Sequence, residues 1–254
     1  MTISPLIAGN WKMFKTCSEA VKTAKRIAEL AKDITDIDIM VAPPFTAIEA
    51  VSEALLSINS RVRVGAQNLF YKSEGAYTGE ISANMLKSAG VSYVIVGHSE
   101  RRQYFGETDD DVRKKIGAAL ESNLIPVMCI GETESEKKEE KTFYVLDKQI
   151  ENGLKGLRSN ELGTLVIAYE PVWAIGTGNT ASPNEAESVH RYIRAKIAKM
   201  FDNKLSEGIR ILYGGSVKPD NISELMSHHN INGALVGGAS LDPESFIKII
   251  KYNK

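Results

Sequence analysis

Several side chains able to do chemistry stand just past short apolar runs. Asn10 and Lys12 follow Leu6-Ile7-Ala8-Gly9, Gln67 and Asn68 follow Val62 to Gly65, His98 follows Tyr93 to Gly97, and Glu170 follows Leu165 to Ala168. A carboxylate, an imidazole and an ammonium gathered at one place can carry out general acid–base chemistry, one group taking a proton while another gives one. Two glycine-rich runs, Gly214-Gly215-Ser216 and Gly237-Gly238, supply backbone amides that an anion can approach closely because no β-carbon stands in the way. Behind Glu170 comes a segment with neither helical nor alternating pattern: Pro171, Val172, Trp173, Ala174, Ile175, Gly176 and Thr177, then Gly178-Asn179-Thr180. Its proline and glycines read as hinges and its apolar middle as a ceiling. Closing such a lid would expel water from the carboxylate and raise its proton affinity.

Positioning these groups requires a regular scaffold. Eight short apolar runs, rich in β-branched residues, read as buried parallel strands: 6–9, 37–41, 62–65, 93–97, 125–130, 165–168, 209–212 and 234–237. Amphipathic stretches lie between them. Thr16-Cys17-Ser18-Glu19 and Ser182-Pro183-Asn184-Glu185 are capping boxes. After the second, Ala186, Val189, Ile193, Ile197 and Met200 recur at helical spacing. The segment from Glu132 to Lys141, dense in Glu and Lys, reads as a solvated helix with paired charges. Eight strand-helix units in 254 residues, with no Pro/Gly/Ser-rich linker, predict a single (β/α)8 barrel over residues 1–254. A doubly wound sheet would lead one to expect G-x-G-x-x-G after a strand, which is absent. Barrel chemistry sits where strands end, which is where the reactive groups fall. The third strand's loop, Gln67 to Gly79, is long, carries Leu69, Phe70, Tyr71 and Tyr77, and should be functional.

Composition narrows the setting. With 31 Lys plus Arg against 32 Asp plus Glu, the chain carries no field that would draw nucleic acid or an anionic membrane. It has no apolar run long enough to span a bilayer, and Met1 to Pro5 lacks the pattern of a secretory signal. Its two cysteines, Cys17 and Cys129, read as unpaired thiols of a reducing cytoplasm. His98, His190, His228 and His229 show no metal-ligand spacing, and proton transfer of this kind calls for no metal or cofactor.

Five strings, Gly9-Asn10-Trp11-Lys12-Met13, Gly97-His98-Ser99-Glu100-Arg101-Arg102, Ala168 to Gly176, Tyr213 to Val217 and Leu235 to Ser240, resemble the triosephosphate isomerase family from the first strand to the last helix. The resemblance implies interconversion of dihydroxyacetone phosphate and D-glyceraldehyde 3-phosphate through an enediolate, in glycolysis and gluconeogenesis. It implies Glu170 as base, His98 as electrophile, and Lys12 and Asn10 on the phosphate and the enediolate oxygen. The amides of Gly176, Ser216, Gly237 and Gly238 would hold the phosphate, with Ser99 and Glu100 in support. It also implies a homodimer in which Thr78, on the loop that begins at Gln67, reaches the partner's Asn10 and Lys12. Phe14, Asn179 and Asn232 depart from the family's usual small polar residue, lysine and aspartate, none at a matched catalytic position. Three rivals share the fold: an aldolase with Lys12 as Schiff-base nucleophile, a metal-dependent aldolase, and a non-catalytic phosphate-binding barrel.

Overall fold

The structure, a computed structural model, describes residues 3–175 and 180–253. Eight parallel strands close on themselves in sequence order: β1 (Leu6–Asn10), β2 (Asp38–Ala42), β3 (Arg63–Ala66), β4 (Tyr93–Val96), β5 (Ile125–Ile130), β6 (Val166–Tyr169), β7 (Arg210–Tyr213) and β8 (Gly233–Val236). Every expected strand is present, with ends displaced by at most one residue. Leu6 pairs with Asp38 on one side and Gly233 on the other, so β1 closes the ring.

Alternation along the strands divides the core in two. Leu6, Ala8, Met40, Ala42, Tyr93, Ile95, Val127, Cys129, Val166, Ala168, Leu212 and Leu235 fill the barrel. Their neighbours Ile7, Val41, Val94, Met128, Ile167 and Ile211 face the helical shell. Residue size is matched across the interior: a β-carbon on Gly65 would lie 2.5 Å from the Met40 sulfur. Helix Pro183–Met200 shows why the shell forms where it does. The Ser182 amide donates to Glu185 at 2.9 Å and the Glu185 amide returns to the Ser182 hydroxyl at 3.2 Å. From that cap, Ala186, Val189, Ile193 and Ile197 present one buried stripe to the sheet. Burying an aliphatic side chain of this size stabilises by roughly 1.5–3 kcal/mol. The Thr16 amide likewise donates to Glu19 at 2.8 Å.

Cys17 is exposed, Cys129 buried, and both are free thiols. Among the described residues no helix is long and apolar enough to cross a membrane. The expected lid residues Gly176, Thr177, Gly178 and Asn179 lie outside the described residues.

Candidate active site

The ends of five strands converge on a cavity of about 250 Å³ lined by Asn10, Lys12, His98, Glu170, Ile175 and the glycine-rich turns after β7 and β8. Glu170 leaves β6 with its amide donating to the Ile130 carbonyl at 2.7 Å, and it is 2 % exposed. One carboxylate oxygen accepts from the Ser99 amide at 2.9 Å; the other lies 2.9 Å from His98 Nε2. Glu100's amide donates to His98 Nδ1 at 3.2 Å, where helix Ser99–Phe105 begins. An Nδ1 that accepts carries no proton, so the imidazole is neutral and turns its Nε2–H into the cavity. This amide at the start of helix Ser99–Phe105 opposes a proton on Nδ1, against the pull of the Glu170 and Glu100 carboxylates toward the imidazolium.

These contacts set the charge states. Burial pushes the Glu170 carboxyl up, but His98, the Ser99 amide and Lys12 outweigh it and hold the group below its ordinary value. Burial pulls His98 down and the Glu170 carboxylate more than restores it, leaving it raised. In this arrangement Glu170 is therefore held ionised by its partners, whereas the sequence had suggested a carboxylate with raised proton affinity once covered. His98 and Ser99, distant in the chain, supply the difference.

Lys12 reaches the cavity from a turn. Its φ is +50°, and its amide donates to Asn10 Oδ1 at 3.0 Å. Gln67 Nε2 holds the turn by donating to the carbonyls of Lys12 at 2.8 Å and Ala42 at 2.9 Å. The ammonium lies 2.6 Å from Glu100 Oε1. Asn68, placed by sequence on the same rim, turns away: its Oδ1 accepts from Lys115 Nζ at 2.8 Å, beside the buried Lys115–Glu107 ion pair.

The two glycine runs differ. Gly237 and Gly238 open onto the cavity, and a 3₁₀ turn, Gly238–Ser240, starts there. A β-carbon on Gly237 would stand 3.5 Å from Lys12 Cε, and one on Gly238 would meet nothing. Gly214 and Gly215 also line the cavity, but their missing β-carbons serve packing. A β-carbon on Gly214 would lie 2.9 Å from Glu170 Cγ, and one on Gly215 would overlap the Tyr213 hydroxyl. Ser216 lines the same wall, its carbonyl accepting from Asn221 Nδ2 at 3.0 Å.

Pro171 leads into a 3₁₀ turn, Val172–Ala174, whose Ala174 is buried. Here the reading of Glu132 to Lys141 as a solvated helix fails at its first residue. Helix Glu134–Lys138 is exposed, but Glu132 is 1 % exposed and accepts from Trp173 Nε1 at 2.8 Å and from the Tyr169 hydroxyl at 3.1 Å. Burial pushes its carboxyl up against the pull of these donors. Lys137 is no free surface charge either, since its ammonium covers the Trp173 ring at 3.3 Å. The signal was available: Glu132 stands two residues past β5, at a strand end, as Glu170 does.

A family profile described as triosephosphate isomerase matches residues 5–253. The chain belongs to the triosephosphate isomerase family. It is 50% identical over 250 residues to the triosephosphate isomerase of Geotalea uraniireducens, covering 98% of this chain and 99% of that one. It is 51% identical over 248 residues to that of Caldanaerobacter subterraneus, covering 98% and 99%. The crystal structure of the triosephosphate isomerase of Bartonella henselae superposes with a TM-score of 0.88 at 39% identity, covering 98% and 99%. The chain accordingly interconverts dihydroxyacetone phosphate and D-glyceraldehyde 3-phosphate, an aldose-ketose isomerisation of glycolysis. One departure from the usual family pattern is absorbed locally. Asn232 keeps an acceptor where aspartate is usual, its Oδ1 taking Arg194 Nη2 at 2.6 Å and the Ile211 amide at 3.0 Å.

Proposed function

We propose that Glu170 is the base of this isomerisation, that His98 is its electrophile, and that Lys12 with Asn10 bridges the enediolate and the phosphate. The observation that carries the reading is the shared cavity: a neutral imidazole with Nε2–H turned inward, a buried carboxylate within 2.9 Å of it, and an ammonium on the same wall. Glu170 removes the proton from the carbon beside the carbonyl and returns it to the neighbouring carbon. His98 donates Nε2–H to the oxygen that gains charge, and substrate takes the place that Glu170 now holds at that nitrogen. Lys12, drawn from Glu100, neutralises the oxyanion. The amides of Ser216, Gly237 and Gly238 bind the phosphate from below, and Gly176 adds one from the lid, so that closure draws on the substrate's non-reacting end. Pro171 to Thr177 then shut water out. No cofactor or metal enters these steps.

Trapping with borohydride separates this from an aldolase. Incubation with dihydroxyacetone phosphate and borohydride leaves Lys12 unmodified and activity intact. A reduced adduct on Lys12 identifies it as a nucleophile and strips it of the role of fixed cation.

We further propose that the chain acts as one catalytic domain, as a homodimer, in a reducing cytoplasm. The free thiols support the last point. For the dimer, the support is exposed apolar surface past the ends of β1, β3 and β4: Met13 after β1 is 94% exposed, Tyr77 after β3 is 43% exposed, and Tyr104 and Phe105, at the end of the helix after β4, are each 69% exposed. The loop from Gln67 stiffens itself with packed, tilted rings, Phe70 lying 4.5 Å from Tyr71 and 4.7 Å from Tyr77 between centroids, and carries Thr78 outward. Thr78→Arg therefore splits the dimer, because it forces a charge into a desolvated contact, and activity falls with it. Sedimentation reads the assembly; an inactive variant that sediments as a dimer contradicts the claim.

A further inference from the structure

The edge of β5 carries a feature that the reaction's own groups leave unused. β4 ends at Val96, whose partner on β5 is Met128, and Gly97 turns the chain away with φ +73°. The β5 chain runs on without that neighbour. Its other side stays paired: Ile130 accepts from the Glu170 amide at 2.7 Å and Glu132 from the Val172 amide at 3.1 Å. Along an extended chain the backbone groups alternate in direction, so Gly131 turns its N–H and C=O toward the missing strand. Both are satisfied by one side chain. Gln149, on helix Thr142–Gly153, accepts from the Gly131 amide at 2.8 Å and donates Nε2–H to the Gly131 carbonyl at 3.1 Å. Its carboxamide stands in for the departed strand. Arg102 assists two residues earlier, its Nη2 donating to the Cys129 carbonyl at 3.3 Å.

Gly131 also touches the base directly. A β-carbon there would overlap the Glu170 carbonyl oxygen, so the two peptides pass in contact. Where Gly131 sits fixes where the Glu170 backbone sits. We propose that Gln149 is a positioning residue for the isomerisation: it holds the Gly131 peptide as a rail against which the Glu170 backbone and the root of the lid are set. This rests on the assignment of Glu170 as base. Gln149 lines a second cavity of about 470 Å³ behind Glu170 and does not line the candidate active-site cavity.

Two variants test it, assayed well below their melting temperatures. Gln149→Leu removes both hydrogen bonds, and kcat drops by roughly 10-fold or more with KM near the parental value, since displacing a reacting group by a fraction of an ångström costs rate and not affinity. Gln149→Glu keeps the acceptor for the Gly131 amide but, when ionised, cannot donate to the carbonyl. When protonated it offers one donor and one acceptor, as glutamine does. Its kcat relative to the parent therefore climbs as the pH falls and the introduced carboxyl takes a proton. Arg102, Glu134, Glu136 and Glu170 line the same cavity in both proteins, so the ratio isolates the substituted group. A folded Gln149→Leu protein with parental kcat, a loss expressed in KM alone, or a Gln149→Glu ratio that does not change with pH would each overturn the proposal. Glu170→Asp, assayed alongside, separates the failures: parental turnover there removes the base assignment, whereas a slow Glu170→Asp beside fast Gln149 variants removes only the support.

Discussion

Glu170→Asp lowers kcat by roughly 100-fold and leaves KM near the parental value. Losing one methylene retracts the carboxylate by about 1 Å, a displacement large enough for that loss in a reaction that depends on near-contact geometry. The backbone has no slack with which to follow. The Glu170 amide is tied to the Ile130 carbonyl at 2.7 Å, its carbonyl is pressed by Gly131, and its Cγ faces Gly214. Binding survives because the phosphate amides and Lys12 are untouched. Steady-state kinetics in both directions checks this, and near-normal turnover would take Glu170 out of the mechanism.

Deleting Ile175 to Gly178 has the second large effect, and it falls on the product and not only on the rate. Glu170, His98 and Lys12 remain, so the enediolate still forms, though slowly. Without the ceiling, and without the amide expected from Gly176, that intermediate meets water with its phosphate free to leave. Methylglyoxal and inorganic phosphate rise relative to the aldose phosphate. Quantifying both products from one reaction decides the matter. A variant that turns over slowly while its elimination fraction stays parental would show that the segment only positions substrate.

The scaffold was legible because buried parallel strands leave a plain mark: short β-branched runs, each followed by a break. The site was legible for a related reason, since a barrel presents chemistry where those runs stop. What escaped depends on how the ring closes. Glu132 stands in a run of charges whose composition matches a solvated helix, and only the arrival of Trp173 and Tyr169 from β6 turns it inward. Asn68 sits at a strand end like Asn10 yet spends its oxygen on Lys115, a partner 47 positions away in the chain. Gly214 and Gly215 look like an anion cradle until Glu170 and Tyr213 are seen packed against them. Gln149 leaves no local trace. Its task arises because β4 stops before β5 does, a fact about two neighbours that neither sequence segment contains.

The protein has two tryptophans, and their circumstances are opposite. Trp11 is fully enclosed, whereas Trp173 stands at the root of the lid with its indole N–H on a carboxylate and a lysine over its ring. Any rearrangement of that root moves two charges against an indole, and emission energy follows such fields. The fold thus carries a native fluorophore just past Glu170. A ligand-induced change in emission that Trp173→Phe abolishes would report rearrangement of that segment in the unlabelled enzyme, with the Trp11 signal left to compare.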